Sequence, residues 1–275
     1  MTDDQAILAA ADDDASLVNV EPDEYASDVV TVELDRSDRR NALNIELRKE
    51  IHEVCDALMS TERIKGVVIT GSSAAGAFAA GGDVREMRER DAVEQRTALE
   101  RPRIYEAVAT LPIPVVARIT GYALGGGCEL AMACDIRVAH EEATLGLPEI
   151  SLGIFPGGGG TQRLPRLVGE SQAMRLILTG ERIDALEADE IGLVDEYYED
   201  LDALDERTSE LAVGFAEKST LALTTAKKAV RASSQFSLDD GIEYEAELFT
   251  TLFATGEKNE GIDAFLEDRD PNWQY

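Results

Sequence analysis

Apolar and polar positions alternate in two stretches near the start of the chain, Leu17–Val20 and Val29–Leu34, and β-branched residues dominate both. Period-two alternation with that composition predicts two strands of a hairpin, with Pro22 and Asp23 in the turn region. The period then changes. Leu43, Leu47, Ile51, Val54 and Leu58 recur every three or four residues. They predict an amphipathic helix, with Asn44 placed to cap its first turn. Val67–Ile69, Val115–Ile119 and Ile136–Val138 are short and almost continuously apolar. Such runs suit strands buried on both faces, as in a parallel sheet. With a helix predicted over 126–134, the alternation of strand and helix makes the fold class α/β.

Past residue 170 the strand signals fade. Residues 171–179 read as a helix stopped by Gly180. Asp184 and Glu187 have the spacing of a capping box, and Gly192 fits a C-terminal stop. Four more helices are predicted over 201–217, 220–234, 238–255 and 259–268. There is no internal repeat and no low-complexity linker. The expected organisation is a poorly ordered acidic arm over 1–15, an α/β core over 16–200 and a helical segment over 201–275.

Charge narrows the function. The chain of 275 residues carries 55 Asp and Glu against 26 Lys and Arg, a formal net charge of −29. A field of that sign repels nucleic acid and anionic membranes, so neither is expected as a partner. The acids are spread along the chain, and the bases are 20 Arg and only 6 Lys. That composition points to a salt-loaded cytoplasm, where charge is screened within a few ångströms. Cys55, Cys128 and Cys134 are odd in number and scattered, which reads as reduced thiols in a cytoplasm. With only His52 and His140, they form no metal-ligand spacing, so no metal is expected. No apolar run is long enough to span a bilayer, and the first residues have no basic leader.

The chemistry concentrates in glycine-rich turns at Phe78–Val84, Gly121–Glu129 and Phe155–Thr161, with Pro148–Glu149–Ile150 between the last two. Two of these turns follow predicted buried strands, where α/β sheets bind ligands. Main-chain N–H groups beside small residues can converge on one oxygen and form an oxyanion hole, and its natural client is a thioester becoming an enolate. Glu129 lies about one helical turn beyond Gly126. Glu149, flanked by Pro148 and apolar neighbours, has the surroundings of a carboxyl with a raised pKa. Two carboxylates beside an oxyanion hole can divide the labour, one activating water and one handling a carbon-bound proton. Taken singly, each feature is more ordinary: a tight turn, a solvated helix glutamate, an acid at a helix start. The order G-x-G-x-x-G of a dinucleotide site is missing, as is the Gly-Lys-Ser/Thr of a P-loop.

Together these blocks resemble the crotonase superfamily, and its enoyl-CoA hydratase branch most closely. The resemblance is carried by Asn41–Asn44, Ala77–Asp83, Gly121–Ala131, Leu147–Ile150 and Gly157–Leu164, with weaker matches around Phe253–Thr255 and Glu260–Phe265. It implies a spiral of ββα units in two stacked sheets, with C-terminal helices that build a homotrimer or, by pairing, a homohexamer. It implies an acyl-CoA substrate and no cofactor. The N–H groups of Gly82 and Gly126 would hold the thioester oxygen, Glu129 would activate water and Glu149 would protonate the α-carbon. Gly157 would contact the water through its backbone. The coenzyme A moiety would lie near Arg40, Ala42, Ala80 and Asp83, with Gly81 also binding substrate and Phe253 and Lys258 as further candidates for adenine and phosphate contacts. Two positions depart from the usual pattern: Gly82, where hydratases often have Ala, and Arg85, where Lys is common. The alternatives within the superfamily are a Δ3,Δ2-enoyl-CoA isomerase or another enolate-forming lyase. Outside that chemistry stand a non-catalytic acyl-CoA- or RNA-binding member and a subunit of a larger β-oxidation complex.

Overall fold

Gly66–Gly71 (β3) is buried at every position, and the reason is that both its faces are covered. In the computed structural model, which describes residues 16–23, 26–100 and 102–273, β3 lies in the middle of a six-stranded sheet. The strands are β1 (Val18–Pro22), β2 (Val29–Leu34), β3, β5 (Val115–Ile119), β7 (Ile136–His140) and β10 (Glu196–Tyr198), in that order across the sheet. The hairpin β1–β2 is antiparallel, pairing Val18 with Leu34 and Val20 with Val32, and Pro22 closes β1 opposite Val30. The rest of the sheet is parallel.

On one face, Val67, Ile69, Val115 and Ala117 pack against Leu47, Ile51, Val54 and Leu58 of α1 (Ile45–Met59). On the other, Val29, Val68, Val116 and Val138 pack against Leu204, Ala212 and Ala216 of α9 (Leu201–Ala216). Alternate residues of one strand thus serve two cores, and the period-two signal disappears from the sequence. Burying each Leu, Ile or Val contributes about 1.5–3 kcal/mol. Asn44 caps α1 as expected, accepting from the Leu47 N–H at 2.9 Å.

A second sheet is built from three-residue strands: β4 (Ala77–Ala79), β6 (Tyr122–Leu124), β8 (Thr144–Gly146) and β9 (Arg182–Asp184). β4, β6 and β8 are parallel neighbours, and β9 closes the edge antiparallel to β8. β3, β5 and β7 are each followed by one of these short strands. The repeat is a strand in the large sheet, a short strand in the small sheet, and a helix or helical turn. In the sequence β4 and β6 pass for parts of glycine-rich turns, because three residues are too few to show alternation. For the same reason β9 and β10 correct the expectation that strands end near residue 170.

The remaining helices are α2 (Val84–Glu89), α3 (Ala92–Ala98), α4 (Ile104–Thr110), α5 (Gly126–Ala131), α6 (Gly160–Val168), α7 (Glu170–Thr179), α8 (Ala185–Glu190), α10 (Thr220–Ala232), α11 (Leu238–Leu252) and α12 (Gly256–Glu267). At the start of α8, Asp184 accepts from the Glu187 N–H, but the Glu187 carboxylate turns to Arg175 instead of completing a capping box. α9 covers the large sheet within the same chain. The acidic arm assigned to 1–15 lies outside the described residues. No helix among the described residues is long and apolar enough to cross a membrane.

Candidate functional site

β4, β6 and β8 end side by side, and the chain just beyond each of them lines one cavity of about 730 Å³. Beyond β4 comes Gly82, beyond β6 comes Gly126, and beyond β8 comes Glu149.

A loop holds the first element in place. Asn41, fully buried, accepts from the Arg36 N–H and donates through Nδ2 to the carbonyls of Ala77 and Phe78, at 3.0 and 3.2 Å. Its backbone is left-handed, φ 55°, a region Asn tolerates better than most side chains. Two residues on, Leu43 bridges to Gly82: the Leu43 N–H donates to Gly81 and the Asp83 N–H donates to Leu43. In such a parallel bridge the amide of Gly82 itself is turned away, and it donates to no described protein acceptor. The Gly126 N–H, first in α5, is equally unused. The two are close, since a Cβ built on Gly126 would stand 3.4 Å from the Gly82 nitrogen. This proximity depends on Gly127, where a Cβ would collide with the Ala79 carbonyl as α5 crosses the end of β4.

The carboxylates differ in what touches them. Glu129, 2% exposed, accepts through Oε1 from the N–H groups of Gly158 and Gly160, both at 2.7 Å. Burial raises its pKa; those two amides and the charges of Arg163 and Arg103 oppose the rise. A methyl at Gly158 would overlap both that carboxylate and the Tyr105 ring. Glu149 sits in a 3₁₀ turn (Pro148–Leu152), and its Oε2 is buried with no partner among the described residues. Burial, with a smaller contribution from the negative Glu129, pushes Glu149 up to about 7, against the pull of its own amide. The Tyr105 phenol is also raised, by burial first and then by Glu129.

Glu129, Glu149, Gly82, Gly126, Ala80, Gly81 and Gly157 all line this cavity. The Gly157 carbonyl accepts from Arg103 at 2.6 Å. Arg40, Ala42 and Asp83 stand outside the lining. Arg40 covers the Tyr122 ring at 5.1 Å from its centroid. The Ala42 carbonyl accepts from Arg36. Asp83 caps α2 and pairs with Arg36 at 2.8 Å. Burial works to raise the Asp83 pKa, but its bonds to Arg36 and to the Arg85 amide outweigh this and lower it. Lys258 stacks on Phe253 at 5.0 Å, with Phe253 largely exposed.

A family model described as enoyl-CoA hydratase/isomerase matches residues 24–275. The chain belongs to that family. It is 43% identical over 246 residues to 2,3-dehydroadipyl-CoA hydratase from Escherichia coli (strain K12), covering 90% of this chain and 95% of the relative. It is 37% identical to the short-chain-enoyl-CoA hydratase of Clostridium acetobutylicum, over 88% of this chain and 92% of the relative. A solved enoyl-CoA hydratase from Bacillus anthracis superposes with a TM-score of 0.88 at 38% identity, covering 94% of this chain and 99% of that one.

The cavity wall also holds residues that sequence reasoning missed, chiefly Arg48, His52, Tyr105 and Arg103. A signal existed for two of them. Arg48 and His52 follow the Asn41–Asn44 block at a spacing of four, along the edge of the apolar stripe of α1. Tyr105 left no such trace, because its ring reaches the cavity from the short α4 only through tertiary packing.

Proposed function

We propose that the protein hydrates 2-enoyl-CoA thioesters to 3-hydroxyacyl-CoA, with Glu129 as base, Glu149 as acid and the amides of Gly82 and Gly126 as the oxyanion hole. One observation carries this reading: two unused N–H groups, a buried carboxylate gripped by two amides and a half-buried carboxyl with a bare oxygen share one cavity. Glu129, fixed by two amides, removes a proton from water. The oxygen of that water bonds to the β-carbon as the double-bond electrons move toward the carbonyl. The developing negative oxygen takes the two N–H groups, which need no reorganisation to receive it. Glu149, protonated up to about pH 7, delivers its proton to the α-carbon and leaves as the anion; exchange with solvent resets the pair. The electrophile is main chain, so the reaction as drawn needs no cofactor.

Ala80, Gly81 and Gly157 contact the substrate directly in this reading. Arg40, Ala42 and Asp83 flank the coenzyme, with Asp83 holding the loop through Arg36. A cytoplasm rich in salt fits the net charge of −29. The organisation we propose is a core over 16–200 and a C-terminal helical segment over 201–275. That segment joins copies into a homotrimer or homohexamer, through apolar side chains such as Phe249, Phe265 and Leu266 that stand exposed on α11 and α12.

Loss of the enoyl-thioester absorbance with crotonyl-CoA, followed in low and in molar KCl, tests the reaction. The expected product is the 3-hydroxyacyl thioester, formed fastest in high salt. A 3-enoyl thioester converted to the 2-enoyl form without hydration would assign the site to isomerisation instead.

A further inference from the structure

Among the described residues, Arg48 is a cation without a counter-charge in a wall where its neighbours are neutralised. In the same lining, Arg90 is paired with Glu86 at 3.2 Å and Arg103 with Glu106 at 2.5 Å. Arg48 has no ion pair or side-chain hydrogen bond with any described residue, and its Nε is buried and unpartnered. Leaving a partly buried guanidinium bare is costly, and with 55 acids in the chain there is no shortage of residues to pair it. The glycine at 82 makes room for it: a Cβ there would stand 3.3 Å from Arg48 Nη2. The guanidinium therefore lies a few ångströms from the oxyanion amides. His52, also in the lining, is one turn of α1 further on, about 6 Å away. Gln95, bonded to Arg90, faces the same space.

We propose that the preferred acyl group ends in a carboxylate, held by Arg48 with His52 as a second donor; the substrate class is a short 2-enedioyl-CoA. The proposal rests on the hydratase reading for the placement of the thioester. A carboxylate at the far end of a short acyl chain supplies the missing counter-charge and bonds Nε and Nη2, whereas a methyl terminus leaves Nε desolvated and unbonded. It also gives a strongly negative protein a local reason to accept a substrate with one more negative charge.

The test uses saturated thioesters, which bind without reacting. Their result is thus separate from whether crotonyl-CoA is hydrated. Calorimetric Kd values for adipyl-CoA and hexanoyl-CoA are measured at fixed KCl on the parent protein, Arg48→Met and Arg48→Lys, with melting curves confirming that each variant is folded. Adipyl-CoA is expected to bind at least about tenfold tighter than hexanoyl-CoA, with the preference erased in Arg48→Met and partly kept in Arg48→Lys. Equal or tighter binding of hexanoyl-CoA to the parent protein would overturn the proposal without recourse to a variant. So would a preference that survives Arg48→Met. Loss of both ligands by the same factor in that variant would also sink it, because Arg48 would then serve the part the two thioesters share.

Discussion

Glu129 and Glu149 are the same residue type, and the separate roles proposed for them rest on what touches each carboxylate. Two amides grip one; the other has a bare buried oxygen. Replacing either by Gln should lower kcat by about 10²–10⁴-fold with coenzyme A ester binding retained; near-parental turnover would remove that residue from the chemistry. Glu149 must carry its proton to act as the acid. With its pKa near 7, kcat/KM should fall as pH rises above about 7, and Glu149→Gln should abolish that limb of the profile. Stability follows the same sign. Between the ordinary carboxyl pKa and about 7, the folded protein holds a proton that the unfolded chain has released, so this group's contribution declines as pH rises through that window. The Gln variant has no such loss. Its melting temperature relative to the parent should therefore climb from pH 5 to pH 8, and a constant difference would contradict the assignment of burial as the cause.

At the scale of elements, the site exists because α5 starts against the end of β4. Gly127→Ala forces the methyl into the Ala79 carbonyl, which parts the amides of Gly82 and Gly126 or unseats the helix. Activity and the cooperative melt should both be lost. Gly153→Ala is the control. Its φ of 74° is unfavourable for Ala but its surroundings are open, so it should cost only about 1 kcal/mol in denaturant titration. Asn41→Ala removes three hydrogen bonds from a fully buried loop residue and should destabilise by about 2–4 kcal/mol. A loss much below that would mean the loop is held chiefly by the Leu43–Gly82 bridge.

At the scale of the whole molecule, the proposed assembly turns on charge and on the exposed apolar side chains of α11 and α12. At about 10 mM salt the screening length is roughly 30 Å, and at 1 M about 3 Å. Copies carrying −29 each should therefore associate in molar KCl and separate at low salt. Light scattering across that range should show a trimer or hexamer giving way to monomer, with activity falling alongside. Phe265→Asp, on a side chain 85% exposed in the chain, should give a folded monomer in high salt. A parent protein that stays monomeric at every salt concentration would end the oligomer proposal.

The sequence by itself determined the α/β class, the stripe of α1 and its Asn44 cap, because periodicity and capping are local. It also marked the glycine-rich turns around Gly82 and Gly126 with Glu129 and Glu149, since glycines that admit close approach and acids beside them leave a compositional trace; the family resemblance then picked out Gly82 within its turn. The three-residue strands of the small sheet were not legible, because so short a strand carries no period and exists only through its neighbours. Tertiary structure alone decided that, among the described residues, Gly82 and Gly126 present unused amides to one space, Glu129 is gripped and Glu149 is not, and Arg48 stands there without a partner. Each is a statement about what lies across a gap from residues tens of positions away in the chain, which spacing along a chain does not encode.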